Sequence, residues 1–304
     1  MTGADGCIGA WVVRHLLEQN SDVVAFDLGA DDRRHQLVCD GAPLSFRRVR
    51  GDITDSDAVY AAMAGADRVI HLAALQVPFC RADPSRGAAV NVTGTVNIFE
   101  AAVAHGIETV AYASSIAVYG AADAYPSPVL SRDDSLKPAT LYGAYKVANE
   151  LTAAVYAADC GLASIGLRPH TVYGPGRDQG LTSQPTVAIA HAVRAERFAV
   201  DYGGVLDFQY APDVARAFVA AAGVRMPNPA ARVLNLRGHI LPVADFVDQV
   251  CHVTGFDGLS AGKSPLPLPH AASAEGLAET IGEVAVTPLD VAIADTAAVL
   301  ATRQ

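Results

Sequence analysis

Short apolar runs alternate with longer stretches of helical spacing along the first half of the chain. From Ile8 to Asn20 the residues Ile8, Trp11, Val12, His15 and Leu16 fall on one side, the spacing of a helix with one buried face. "DVVAFD" (Asp22–Asp27) follows as a buried strand. Next come "SFRRVRGD", a helix from Ser56 to Met63, and "DRVIHLAA" with its apolar centre at Val69 and Ile70. Val90 to Gly106 has helical spacing and ends on a glycine. Thr109 to Ser115 reads as a strand, Tyr142 to Asp159 as a long helix, and Leu162 to Pro169 as another strand. Strands separated by helices of this length predict parallel β-α-β units, hence an α/β fold with a doubly wound parallel sheet.

After Pro169 the pattern changes. "VYGPGRDQGLTSQP" is polar and rich in Gly and Pro, and the elements beyond it are shorter. The expected division is a main domain of residues 1–168 with 207–236 and a smaller C-terminal lobe of residues 169–206 with 237–304. That lobe would cap the carboxyl edge of the sheet, where such folds bind their ligands.

Composition narrows the partners. With 304 residues, 51% of them hydrophobic and 18% charged, the chain can bury a sizeable core. A formal net charge of −10 argues against nucleic acid or an anionic membrane as the main partner. The five cysteines are scattered, with no C-x-x-C pair, and fit a reducing compartment. No apolar run approaches the ~18 residues of a membrane span, and the first residues do not read as a secretory signal. A cytoplasmic protein is expected. The histidines show no H-x-H or H-E-x-x-H spacing, so no metal site is expected.

Two stretches carry chemistry. In "TGADGCIG" the glycines Gly3, Gly6 and Gly9 allow a tight turn, and the helix that follows, through Cys7 and Ile8, would aim its N–H groups at a phosphate. Asp27, at the end of the next strand, can accept hydrogen bonds from both hydroxyls of an adenosine ribose and would repel a 2′-phosphate; Leu28 follows it where an arginine would favour NADP. NAD is the expected cofactor. In "YGAYK", Tyr142 and Lys146 stand one helical turn apart, and Ser114 and Ser115 end the preceding strand. Ser115 could hold a substrate oxygen while Tyr142, its pKa lowered from about 10 by nearby positive charge, moves the proton.

Together these residues resemble the extended short-chain dehydrogenase/reductase family, of the NAD-dependent epimerase/dehydratase type. "TGADGCIG" matches its T-G-x-x-G-x-x-G, "GDITD" supplies Asp52 and Ile53 beside the adenine, and "HLAA" supplies Leu72, Ala73 and Ala74 along the cofactor. Asn91 matches the family's structural Asn, and "LRPHTVYGPG" matches the segment under the nicotinamide, with Pro169, His170 and Val172. The resemblance implies a Rossmann-type NAD domain, a substrate-binding C-terminal lobe, and Ser115, Tyr142 and Lys146 as catalytic residues. It also implies a homodimer through helices near Ala89–His105 and Tyr142–Asp159. His170 is expected to pack or orient rather than transfer protons.

The departures bear on substrate. Ile116 and Ala117 stand where dehydratases carry an Asp-Glu pair, which excludes dehydration. Thr171 and Leu206 stand where nucleotide-sugar enzymes place an Asn and an Arg for the diphosphate, although Arg177 or Arg237 could compensate. The expected reaction is hydride transfer at a secondary alcohol of a small polyol, sugar or sugar acid, with Gln76, Ser115, Thr171 and Arg177 as substrate contacts. The alternative is a sugar or nucleotide-sugar epimerase with retained cofactor. A dinucleotide-binding regulator is the third reading, against which Tyr142 and Lys146 are both intact. Whether Tyr145 meets substrate or only packs stays open.

The turn lacks one thing. In a 3-2-1-4-5-6 sheet the strand before it is central, yet only Met1 precedes Thr2. The first strand is therefore expected to be missing. Either it is supplied by residues encoded upstream, or its place is filled by another segment, a partner subunit or a rearrangement.

Overall fold

The structure, a computed structural model, describes residues 1–29, 31–39 and 45–302. The chain forms α1 (Cys7–Glu18), β1 (Val24–Asp27), α2 (Arg33–Val38), β2 (Arg47–Arg50), α3 (Ser56–Met63) and β3 (Val69–His71). It continues through α4 (Val77–Ala82), α5 (Pro84–Ala88), α6 (Gly94–Ala104), β4 (Thr109–Ala113), β5 (Val129–Leu130), α7 (Leu141–Cys160) and β6 (Ala163–Arg168). The ends follow from local chemistry. Asp55 caps α3 by accepting from the N–H groups of Asp57 and Ala58, and Thr140 caps α7 through Gly143. Helix α7 stops at Gly161, whose φ of 66° suits glycine. All six residues of β6 are buried, as a strand covered on both faces requires.

Strands β3, β4 and β6 run parallel in one block, extended by β10 (Ala231–Asn235), and β1 and β2 pair in another. Between the blocks lies the place of the strand expected to be missing, and Met1–Gly3 occupies its carboxyl end. Thr2 bridges to Phe26 on one side and His71 on the other. Its N–H donates to Ile70 (3.0 Å), Leu72 donates to it (3.1 Å), and Gly3 donates to Phe26 (3.1 Å). As expected, no strand precedes the turn among the described residues; the short segment Met1–Gly3 bridges the blocks at that end, giving the order β2-β1-Thr2-β3-β4-β6-β10. Beneath it Val24, Phe26, Val59, Met63, Val69 and Ile98 enclose a cavity of about 40 Å³.

Two apolar layers sandwich the sheet. Trp11 and Val12 of α1 pack with Val214 and Phe218 of α9 (Ala211–Gly223) on one face; Val59, Ile98 and Phe99 pack on the other. The later segment forms β7 (Thr171–Tyr173), α8 (Gln184–Val193), β8 (Phe198–Val200), β9 (Val205–Tyr210) and β11 (His239–Pro242). Strand β9 pairs parallel to β7 and antiparallel to β11. Helices α8, α10 (Val243–Thr254) and α12 (Leu289–Ala301) close over Tyr173, Phe208 and Phe246. Leu206 belongs to this core and is 2% exposed.

Candidate active site

One cavity of about 490 Å³ runs along the carboxyl edge of the sheet, within the range of small-molecule sites. It is lined by Gly3, Gly6, Cys7, Ile8, Gly9, Asp27, Leu28, Asp52, Ile53, Leu72, Ala73 and Ala74, and also by Gln76, Ser115, Tyr142, Lys146, Pro169, His170, Val172 and Arg177. Two expected residues are not on its wall. Asn91 is buried, where its carboxamide accepts from the Leu75 N–H (2.8 Å) and donates to the Leu75 carbonyl (2.9 Å), fixing the turn after β3. Thr171 is fully buried, its hydroxyl 3.1 Å from the His170 ring, so its expected substrate contact is not made in this arrangement.

The glycine turn is built for close approach. A Cβ on Gly9 would lie 2.1 Å from the Gly3 carbonyl, and one on Gly3, at φ +69°, 2.6 Å from Ala73 N. Helix α1 begins at the cavity with no side-chain cap and no acidic residue in its first turn, so its leading N–H groups are available to an anion. Asp27 accepts from the N–H of Asp5 (2.9 Å) and of Leu28 (2.7 Å). Burial raises its pKa, and those N–H groups oppose the rise. The arginines of this corner are already engaged. Arg33 pairs with Asp31, Arg34 with Asp178, Arg48 with Asp5 and Asp32, and Arg50 with the Leu28 carbonyl. These residues fit a dinucleotide with a bare ribose.

Arg34 also ties the two sides of the cleft together. It donates to the Asp5 carbonyl of the glycine turn (3.0 Å) and to the Gly176 carbonyl across the cleft (3.0 Å). Trp11 Nε1 donates to Pro175 (3.0 Å) from α1. Neither cross-cleft contact is announced by local spacing, because Arg34 and Gly176 are 142 positions apart and Trp11 and Pro175 are 164 apart.

At the catalytic end α7 brings Tyr142 and Lys146 to the tip of β4. Lys146 Nζ donates to the Ala113 carbonyl (2.6 Å) and lies 5.6 Å from the centre of the Tyr142 ring. The lowering of the Tyr142 pKa is expected from Lys146 together with a bound nicotinamide ring; in the chain alone burial dominates. Burial raises it, while a hydrogen bond with Ser115 and the charge of Arg177 pull it down. Burial likewise lowers Lys146 to about 8. A bound nicotinamide would add positive charge that favours the phenolate. His170 is buried and its pKa falls to about 4. Its Nε2 donates to the Pro269 carbonyl (2.9 Å), leaving Nδ1 to accept from Thr171, an arrangement that orients the ring and moves no proton. Tyr145 packs: its hydroxyl donates to the Pro84 carbonyl (2.9 Å).

Behind the site lies a buried ion pair. Glu150, one turn beyond Lys146 on α7, receives both Nε (2.8 Å) and Nη2 (2.7 Å) of Arg168, and the Ser114 hydroxyl donates to it. It ties α7 to β6 and to the residue before Ser115. Of the two compensating arginines, Arg177 lines the cavity; Arg237 stands 3.6 Å from Glu283, and both side chains are exposed.

Comparison with known proteins gives a consistent picture. A family model described as the NAD dependent epimerase/dehydratase family matches residues 1–236. The chain is 34% identical over 229 residues to a UDP-glucose 4-epimerase of Mycolicibacterium smegmatis, covering 73% of this chain and 72% of that one. It superposes on MoeE5 in complex with UDP-glucose and NAD with a TM-score of 0.81 and 31% identity, over 98% of this chain and 96% of that one. The Thermus thermophilus UDP-glucose 4-epimerase in complex with NAD, at 23% identity and TM-score 0.82 over 98% of this chain and 97% of that one, shares the fold.

Proposed function

Since the chain belongs to the NAD-dependent epimerase/dehydratase family, we propose that it inverts a secondary alcohol of a sugar by oxidation and re-reduction, keeping its NAD throughout. The bridge formed by Arg34 carries this reading. A cleft whose two sides Arg34 ties together at Asp5 and Gly176 suits an enzyme that retains its cofactor, whereas one that releases NADH must open at every turnover. The UDP-glucose 4-epimerase similarity points the same way.

The residues divide the work as follows. Asp27 receives the ribose hydroxyls, and the uncapped start of α1 receives the pyrophosphate. When bound, NAD supplies the hydride acceptor. With that acceptor in place, Ser115 would hold the carbinol oxygen while Tyr142 took its proton, and Tyr142 would return the proton once the resulting ketone had turned over in the cavity. Lys146 adds positive charge beside the phenol. Ile116 and Ala117 line the cavity and offer no proton, so water loss has no acid or base there.

A second reading, a dehydrogenase of small polyols or sugar acids, is favoured by Thr171 and Leu206, both buried where a diphosphate anchor was expected. Arg34→Ala tests the choice. NAD dissociation followed by stopped-flow displacement should quicken about tenfold or more, as for the loss of charge-assisted hydrogen bonds. An unchanged rate would remove the basis for cofactor retention.

A further inference from the structure

One peptide plane joins the catalytic end of the cavity to strand β9. The Pro169 carbonyl accepts from the N–H of Ile116 (2.9 Å), the residue after Ser115. The N–H of the same peptide, that of His170, donates to Gln209 Oε1 (2.9 Å). Ser115, Ile116, Pro169 and His170 line the cavity, whereas Gln209 is buried off its wall. Gln209 Nε2 in turn donates to Asp207 Oδ2 (2.9 Å). A carboxylate only accepts, so it fixes which end of the Gln209 carboxamide faces it and leaves the oxygen for His170. The second carboxylate oxygen, Oδ1, points toward the Gly238 N–H without closing a hydrogen bond. A Cβ on Gly238 would lie 2.8 Å from that oxygen and 2.2 Å from the Phe208 carbonyl, so only glycine lets the chain close over the acid. Of the elements packed against β9, β11 presents His239, whose charge would favour the carboxylate. His170 precedes β7, His270 precedes the Ala271–Ala272 strand, and α9 carries Asp213 and Arg216, paired with each other.

We infer that Asp207 and Gln209 are positioning residues for Ser115: the ionised carboxylate holds the Gln209 amide, the amide holds the Pro169–His170 peptide, and protonation of Asp207 releases the backbone beside Ser115. This rests on the role proposed for Ser115 above. A protonated Asp207 can donate to Gln209 Oε1. The amide then turns its NH2 toward the His170 N–H, two donors face each other, and the peptide must shift. Burial raises the Asp207 carboxyl to about 6, so the release comes as pH falls through that value.

The test compares NAD with ADP-ribose by calorimetry from about pH 5 to 8. Both ligands can use the glycine turn and Asp27, and they differ by the nicotinamide, the end that must reach Ser115 and Tyr142 for hydride transfer. Effects of pH on the turn therefore cancel in the ratio of the two affinities. In the wild type that ratio should fall about fivefold between pH 7 and 5, the worth of one hydrogen bond. Asp207→Asn should make it independent of pH. Gln209→Glu should reverse the slope: at low pH the two carboxyls share a proton while Glu still accepts from His170, and at higher pH both ionise and repel. A flat ratio in the wild type, or a slope that survives in Asp207→Asn, would overturn the inference, whether or not Gln209→Glu folds. So would a Gln209→Glu protein with the wild-type slope. Epimerisation alongside a flat ratio would leave the proposed function standing, whereas no NAD binding at any pH would remove both.

Discussion

A Tyr142→Phe protein should bind NAD and lose about 10²–10⁴-fold in turnover, the span attributed to a positioned general acid–base group. The phenol hydrogen-bonds with Ser115 and has Lys146 Nζ 5.6 Å from its ring centre, and His170, on the same cavity wall, spends both ring nitrogens on Pro269 and Thr171. Lys146 gives the companion result. A lysine whose folded pKa lies below its unfolded one costs stability wherever the folded chain carries it charged. For Lys146 that cost is full below about pH 8 and fades as pH rises toward 10.5. The difference corresponds to about 3 kcal/mol for so buried a group. Lys146→Met should therefore be inactive yet more stable than wild type at pH 7 without NAD, with the gap closing between pH 8 and 10.5. Urea denaturation across that range reads it. A variant no more stable than wild type at pH 7 would show that Lys146 is not held at a cost for function.

Arg168→Met should destabilise the fold by about 3–5 kcal/mol, because it leaves Glu150 charged and buried without its partner. Both side chains are almost fully enclosed, at 4% and 6% exposure, so water cannot take over. The double variant Arg168→Met with Glu150→Met removes both charges and should recover most of that loss. Its activity should stay reduced, since the Ser114 hydroxyl, one residue before Ser115, loses its acceptor. A loss under about 1 kcal/mol in the single variant, the scale of an exposed pair, would mean the ion pair is not enclosed as described.

The parts legible in the sequence were those set by short-range pattern. Buried β6, the capped helix α3 and the Tyr142–Lys146 spacing all follow from residues within one or two turns of each other. The glycine turn and Asp27 were legible from their own chemistry, while Ile53 and Ala73 came from a resemblance covering ordered motifs, and all line one cavity. What stayed hidden depends on chain separation. Arg34 meets Asp178, and Glu150 meets Arg168, through contacts no local spacing announces. The lack of a full central strand was legible, but not how its place is bridged: three residues with backbone donors and acceptors on both sides join β1 to β3, and no hydrophobic run signals so short a piece.

The measurement that decides the account is proton NMR of UDP-glucose or UDP-glucuronate incubated with the purified protein without added NAD, with absorbance at 340 nm followed in parallel. The account predicts the epimeric sugar accumulating over many turnovers with no lasting NADH signal. Growth of NADH in step with an oxidised product, and only when NAD is supplied, would contradict it and establish the dehydrogenase instead.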